Sequence, residues 1–192
     1  MTFALFMVGG DATEETPRAT DTEGGRAVYP EGPYGSSAGL HLAPTLSFEI
    51  VGPGRSLARL SMRDLHDPDG RRGNRALLVV ESAAWSPVCQ SQAMHLRSVY
   101  RERIRPRGIV ILQLLFEDEA RRPARFDAAL LWTARYEATW LCGVDPLRKL
   151  PGKTVPTSYL VDPRTMRITH VFEGWDESAA RLADDLAHRN RD

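Results

Sequence analysis

The 192-residue chain balances 25 Lys+Arg against 25 Asp+Glu and is 42% apolar, which suits one soluble domain with an extension. There is no surplus of positive charge to neutralise phosphates, so neither nucleic acid nor a charged membrane surface is indicated as a partner. Two cysteines, Cys89 and Cys142, are too few for a disulfide scaffold, and the five histidines stand at no metal-ligand spacing; no metal or other cofactor is implied.

No run reaches the eighteen or so apolar residues that a membrane helix needs. The apolar start from Thr2 to Gly9 lacks a basic flank and reads either as the stump of an export signal or as a free terminus. Residues from Gly9 to Pro44 are dense in Gly, Pro, Ser, Thr and acids. Such a stretch buries too little apolar surface to offset its ordering entropy, which predicts disorder over 1–27, an irregular strap over 28–45 and a folded domain over 46–192.

Within that domain, Leu46 to Val51 alternates apolar and polar residues, Gly52-Pro53-Gly54 turns, and Leu57 to Leu65 reads as a second extended piece. Ala76 to Val80 is a continuous apolar run with β-branched residues, the pattern of a strand buried on both faces. Cys89, Ala93, Leu96, Tyr100 and Ile104 follow at helical spacing and define one buried stripe, with the helix stopping before Pro106. Ile109 to Phe116 is a second buried strand, so the pair forms a right-handed βαβ unit.

A charged loop leads to a helix over 124–137, with Phe126, Leu130, Leu131 and Ala134 inward. A short strand over 139–144 follows. Thr157 to Val161 and Met166 to Phe172 then form a hairpin across a turn at Asp162. Asp176 is placed to cap a last helix with the stripe Ala179, Leu182, Ala183 and Leu186.

This order of elements carries Trp85-Ser-Pro-Val-Cys89 at the first strand-to-helix turn and Val155-Pro156-Thr157 ahead of the hairpin. Together they resemble the thioredoxin-like superfamily over roughly residues 46 to 188. Within it the match is to the redoxin and TlpA-like branch and the AhpC/TSA, peroxiredoxin-related proteins. The resemblance implies an α/β thioredoxin-like fold with a central mixed sheet flanked by helices and a cis peptide at Pro156 beside the redox turn. It also implies a substrate surface of Trp85, Pro87, Val155, Pro156 and Thr157.

The departure from the family pattern decides the chemistry. Ser86 stands where the oxidoreductases have their nucleophilic cysteine, and a hydroxyl of alcohol-like pKa cannot attack a disulfide at neutral pH. A dithiol cycle is excluded. The peroxiredoxin pattern, by contrast, places a Ser or Thr three residues before its reactive cysteine, as Ser86 stands to Cys89. A thiol at a helix start gains anion stabilisation from the dipole and free N–H groups, which predicts a lowered pKa. The arginine that peroxiredoxins place at the cis-proline position is replaced by Pro156, leaving Arg97 and Arg148 as candidate substitutes.

Two functions follow as expectations. One is a single-thiol oxidoreductase in which Cys89, assisted by Ser86, is oxidised by a peroxide or thiol/disulfide substrate to a sulfenic acid and reduced by an external thiol. The other is a catalytically degenerate module that binds a peptide or partner protein through its cis-proline groove. Cys89 is alternatively an inert core thiol, and Cys142 packs in its strand or resolves the first thiol. Glu81 is either an exposed strand end or a proton relay, and His95 is solvated. The family resemblance points to a periplasmic or exported location, with the cytoplasm as the alternative.

Overall fold

The computed structural model describes residues 28–176 and 178–191. The disorder predicted over 1–27 and the export-signal reading of residues 2–9 lie outside the described residues. Seven strands form one mixed sheet in the order β2-β1-β5-β4-β3-β6-β7. They are β1 (Ser47–Val51), β2 (Leu57–Ser61), β3 (Ala76–Ala83), β4 (Ile109–Glu117), β5 (Leu141–Val144), β6 (Thr157–Asp162) and β7 (Arg167–Glu173). The helices are the single turn α1 (Met62–Leu65), α2 (Pro87–Val99), α3 (Phe126–Arg135) and α4 (Ser178–Arg189).

β3, β4 and β5 are parallel neighbours, joined through α2 and α3. Both crossovers step the same way across the sheet, so right-handed connection puts both helices on one face. There α2, α3 and α4 cover a core that includes Leu78, Val80, Ile111, Leu115 and both cysteines. Leu77, Val79, Leu112 and Leu114 point to the other face and pack against Leu42 from residues 28–46, Met62 and Leu65 of α1, and Leu150. Residues 39–42 also run along the outer edge of β7: Leu42 N–H donates to Met166 O at 2.9 Å and Ile168 N–H to Leu40 O at 2.8 Å. Pairing of this kind covers a sheet edge that would otherwise be open to another chain.

Several boundaries differ from those predicted. The extended reading of 57–65 ends at Ser61, where Asp64 accepts the Ser61 N–H in a capping box and turns residues 62–65 into α1. The single helix expected up to Pro106 becomes α-helix to Val99, a π turn over Tyr100–Ile104 and a 3₁₀ turn over Arg105–Arg107 that contains Pro106. In α3 the inward residues are Ala129 and Trp132, whereas Leu131 and Ala134 are exposed. The large indole of Trp132 takes the core position because Gln113 supplies it with a buried hydrogen-bond acceptor.

Candidate functional site

β3 hands the chain to α2 through a tight turn. Ala84 N–H donates to Glu117 O at 3.0 Å and Ser86 N–H to Ala83 O at 3.1 Å. Ser86 then has the extended backbone of an N-cap, its Oγ accepting the Cys89 N–H at 3.4 Å, and Pro87 occupies the first turn. Serine as a cap followed by proline is what a helix start favours, because each suits backbone groups that have no intrahelical partner.

Cys89 therefore sits in the first turn, as the sequence implies, but its side chain points into the core and is 0% exposed. Burial pushes the thiol pKa up, and the polar contacts from Ser86, Ala83 and Ser82 pull it down by less. This corrects the lowered pKa expected from the helix dipole. Desolvation of a thiolate in apolar surroundings exceeds what one helix terminus returns. Ser86 is itself only 3% exposed, and its hydroxyl both caps the helix and contacts the thiol.

The two candidate arginines are engaged elsewhere. Arg97 pairs with Glu137 at 2.6 Å on the surface. Arg148 donates its Nε to Glu81 at 2.8 Å and lies over the Phe116 ring at 4.5 Å. Glu81 alternates along β3 with Leu77 and Val79, so it projects from the face opposite Cys89. It is 1% exposed and also accepts the Gly152 N–H at 2.6 Å, which makes it neither the exposed strand end nor the proton relay that the sequence suggested. Cys142 lies in β5, where burial raises its thiol to about 12. Both cysteines are free.

The predicted substrate surface divides into covered and open parts. Trp85 is half-buried, donating its indole N–H to Glu117 Oε2 at 2.6 Å, with the Arg121 guanidinium 3.8 Å above the ring. The Val155–Pro156 peptide is cis. Thr157 pairs with Glu81 across the sheet, so continuing that register puts Val155 opposite Ala83, at the start of the turn that leads to Ser86. Pro156 and Thr157 are buried, Val155 is half-buried, and Pro87 is exposed. Pro156 O accepts the Gly174 N–H at 2.8 Å, which draws exposed Trp175 to the same end of the sheet. His95 is exposed, as expected, and its ring lies 5.6 Å from that of Trp175.

Several contributors have no place in the sequence reading. Glu173 holds the loop before Pro156, accepting the N–H groups of Lys153 at 3.2 Å and Thr154 at 3.0 Å. Gln113, fully buried in β4, accepts the indole N–H groups of Trp132 and Trp140 at 3.0 Å each and donates to Ser82 Oγ at 3.1 Å. A lone glutamine inside the apolar run Ile109 to Phe116 is the sequence signal that could have revealed it. Among the described residues no group of three or more His, Cys, Asp or Glu could hold a metal ion, and no helix is long and apolar enough to cross a membrane.

No family model matches the chain, and no curated protein matches it. Solved structures do. An uncharacterized conserved protein from Geobacillus kaustophilus superposes with a TM-score of 0.63 at 13% identity, over 81% of this chain and 85% of that one. A reduced 2-Cys peroxiredoxin from Plasmodium vivax gives 0.58 at 14% identity, over 79% and 82%. A secreted thiol-disulfide isomerase from Corynebacterium glutamicum gives 0.55 at 16% identity, over 76% and 84%. The mixed sheet, its flanking helices and these likenesses together identify a thioredoxin-like fold.

Proposed function

We propose that this chain is a thioredoxin-fold binding module that holds an extended polypeptide against its cis-proline edge, with Cys89 serving as a core thiol. The observation that carries this reading is the complete burial of Cys89 beneath a serine that cannot replace a nucleophilic thiol. The recognition edge is supported by main-chain groups: the N–H and C=O of Val155 have no hydrogen-bond partner among the described residues. Around them stand exposed apolar side chains, Val88 at 45% and Trp175 at 38%, together with exposed Pro87. Backbone pairing with flanking apolar contacts is how an extended peptide is added to a strand-like edge.

A second reading is favoured by the contact that Ser86 makes with the Cys89 thiol. In it, the thiolate sulfur attacks a peroxide O–O bond, an S–O bond forms as hydroxide or alkoxide leaves, and an external thiol reduces the resulting sulfenic acid. One pair of measurements separates the two. For the binding module, Cys89 resists iodoacetamide at neutral pH until the protein is unfolded, peroxide is not consumed with a thiol donor, and an unfolded, carboxymethylated polypeptide binds and shifts the resonances of Val155 and Trp175. Labelling of native Cys89 as fast as a free thiol, with peroxide consumption lost in Cys89→Ser, establishes the single-thiol enzyme instead.

A further inference from the structure

We propose a second binding site, in the cleft between α2 and α4 that meets the cis-proline edge at Trp175, for a flat aromatic acid that carries a ring N–H or O–H donor. The cleft encloses about 500 Å³, within the range of small-molecule sites. Its floor is apolar sheet, formed by Leu78, Ile109 and Ile111, which suits an apolar ring rather than a sugar or nucleotide phosphate.

Three polar or aromatic features on its walls define the rest of the ligand. Gln92 lines the cleft from α2, and its side-chain oxygen is buried with no hydrogen-bond partner. A buried amide oxygen left in this state costs free energy that a donor on the ligand would recover. Arg103 lines the cleft from the π turn; π turns of this kind occur often at functional sites. Its guanidinium forms no ion pair among the described residues. Of the neighbouring acids, Asp184 binds Arg107 at 2.7 Å, while Asp176 accepts the Ser178 N–H at 2.8 Å and keeps its charge. Arg181 lines the cleft as well, so Arg103, Arg107 and Arg181 outnumber Asp176 and Asp184 and leave the lining with surplus positive charge that matches a carboxylate. At the mouth, the tilted His95 and Trp175 rings, 5.6 Å apart, present an aromatic edge against which a flat ring can pack.

Indole-3-acetate has all three elements and serves as the probe, titrated into the full chain while the amide resonances and the indole N–H resonance of Trp175 are followed. Binding is expected, with 1-methylindole-3-acetate, which lacks the donor, weaker by about fivefold to tenfold. Gln92→Leu should make the two acids bind equally, and Arg103→Gln should weaken both acids but leave neutral indole unchanged. Circular dichroism of each variant verifies folding, and the double comparison within one variant keeps the test independent of any small stability change. Absence of binding at millimolar probe, or equal affinity of the two acids for the natural chain, overturns the proposal. The polypeptide edge is told apart by the Val155 resonance, because Trp175 borders both sites.

Discussion

Glu81 and Arg148 form an ion pair at 2.8 Å in which one partner is enclosed and the other reaches solvent: the side chains are 2% and 41% exposed. The pair ties the end of β3 to the loop that leads to Pro156, and Glu81 adds the Gly152 N–H to the same anchor. Because the partners differ in exposure, removing them is predicted to have unequal effects. Arg148→Ala leaves a carboxylate buried with the Gly152 N–H and no cation, and should cost about 3–5 kcal/mol. Glu81→Gln keeps a neutral acceptor and frees Arg148 to swing into water, so it should cost about 1–2 kcal/mol. Urea denaturation of the two variants checks the order; an equal or reversed order would show that burial of Glu81 is not what the arginine compensates.

Gln113 is the polar centre of the helix-covered face. Its bonds to the two indole donors and to Ser82 are all buried, so Gln113→Leu orphans both indole N–H groups at once. At about 1–3 kcal/mol for each buried donor left unsatisfied, the loss should reach several kcal/mol, far beyond the change in side-chain size. Trp132 and Trp140 would lose their common acceptor, and a change in tryptophan emission should accompany the drop in denaturation midpoint. A Gln113→Leu protein of unchanged stability would contradict the network.

Strands β3 and β4 were legible in the sequence because burial on both faces demands a long apolar run, which Glu81, Ser82 and Gln113 interrupt and Glu117 ends. Helix α2 was legible because its stripe at Cys89, Ala93 and Leu96 repeats at the helical period. That same period concealed the π turn, since Tyr100 and Ile104 keep the spacing while the backbone bonds shift to Arg105 N–H and Tyr100 O. The partner of Glu81 lies 67 positions along the chain, a separation that local pattern cannot bridge. Most of all, the thiol pKa depends on a competition between burial and helix terminus. Residue order shows the terminus and, through the apolar stripe, a core position for Cys89, but not which of the two sets the pKa.

Ser86 caps α2 and stands three residues before Cys89. Ser86→Ala removes the acceptor of the Cys89 N–H and should destabilise the fold by about 1 kcal/mol, whereas Ser86→Gly should cost only a few tenths. Ser86→Cys places a second thiol three residues before Cys89. On oxidation it is expected to lose the thiols at 86 and 89 to an intramolecular disulfide, and in its reduced form to show insulin-reducing activity above that of the natural chain. Thiol titration and insulin turbidity measure the two effects. A variant that folds but forms no disulfide would show that this turn does not hold positions 86 and 89 at disulfide geometry.

The buried thiols also set a stability limit on the alkaline side. Burial raises Cys142 to about 12 and moves Cys89 in the same direction, while in the unfolded chain both titrate near their ordinary value of about 8.5. The folded state therefore holds these protons more tightly than the unfolded state. The stability they contribute is fully present below about pH 8.5 and is lost as pH climbs toward the folded values. Tyr29 and Tyr159 are also raised by burial, but their contribution begins to fall only near pH 10, where an unfolded tyrosine ionises. The interval between about pH 8.5 and about pH 10 thus belongs to the thiols. The urea midpoint of the natural chain should decline across it, and Cys142→Val, which fills the site without an ionisable group, should flatten that decline. An identical slope in the variant would mean that the Cys142 thiol does not report the difference between folded and unfolded states.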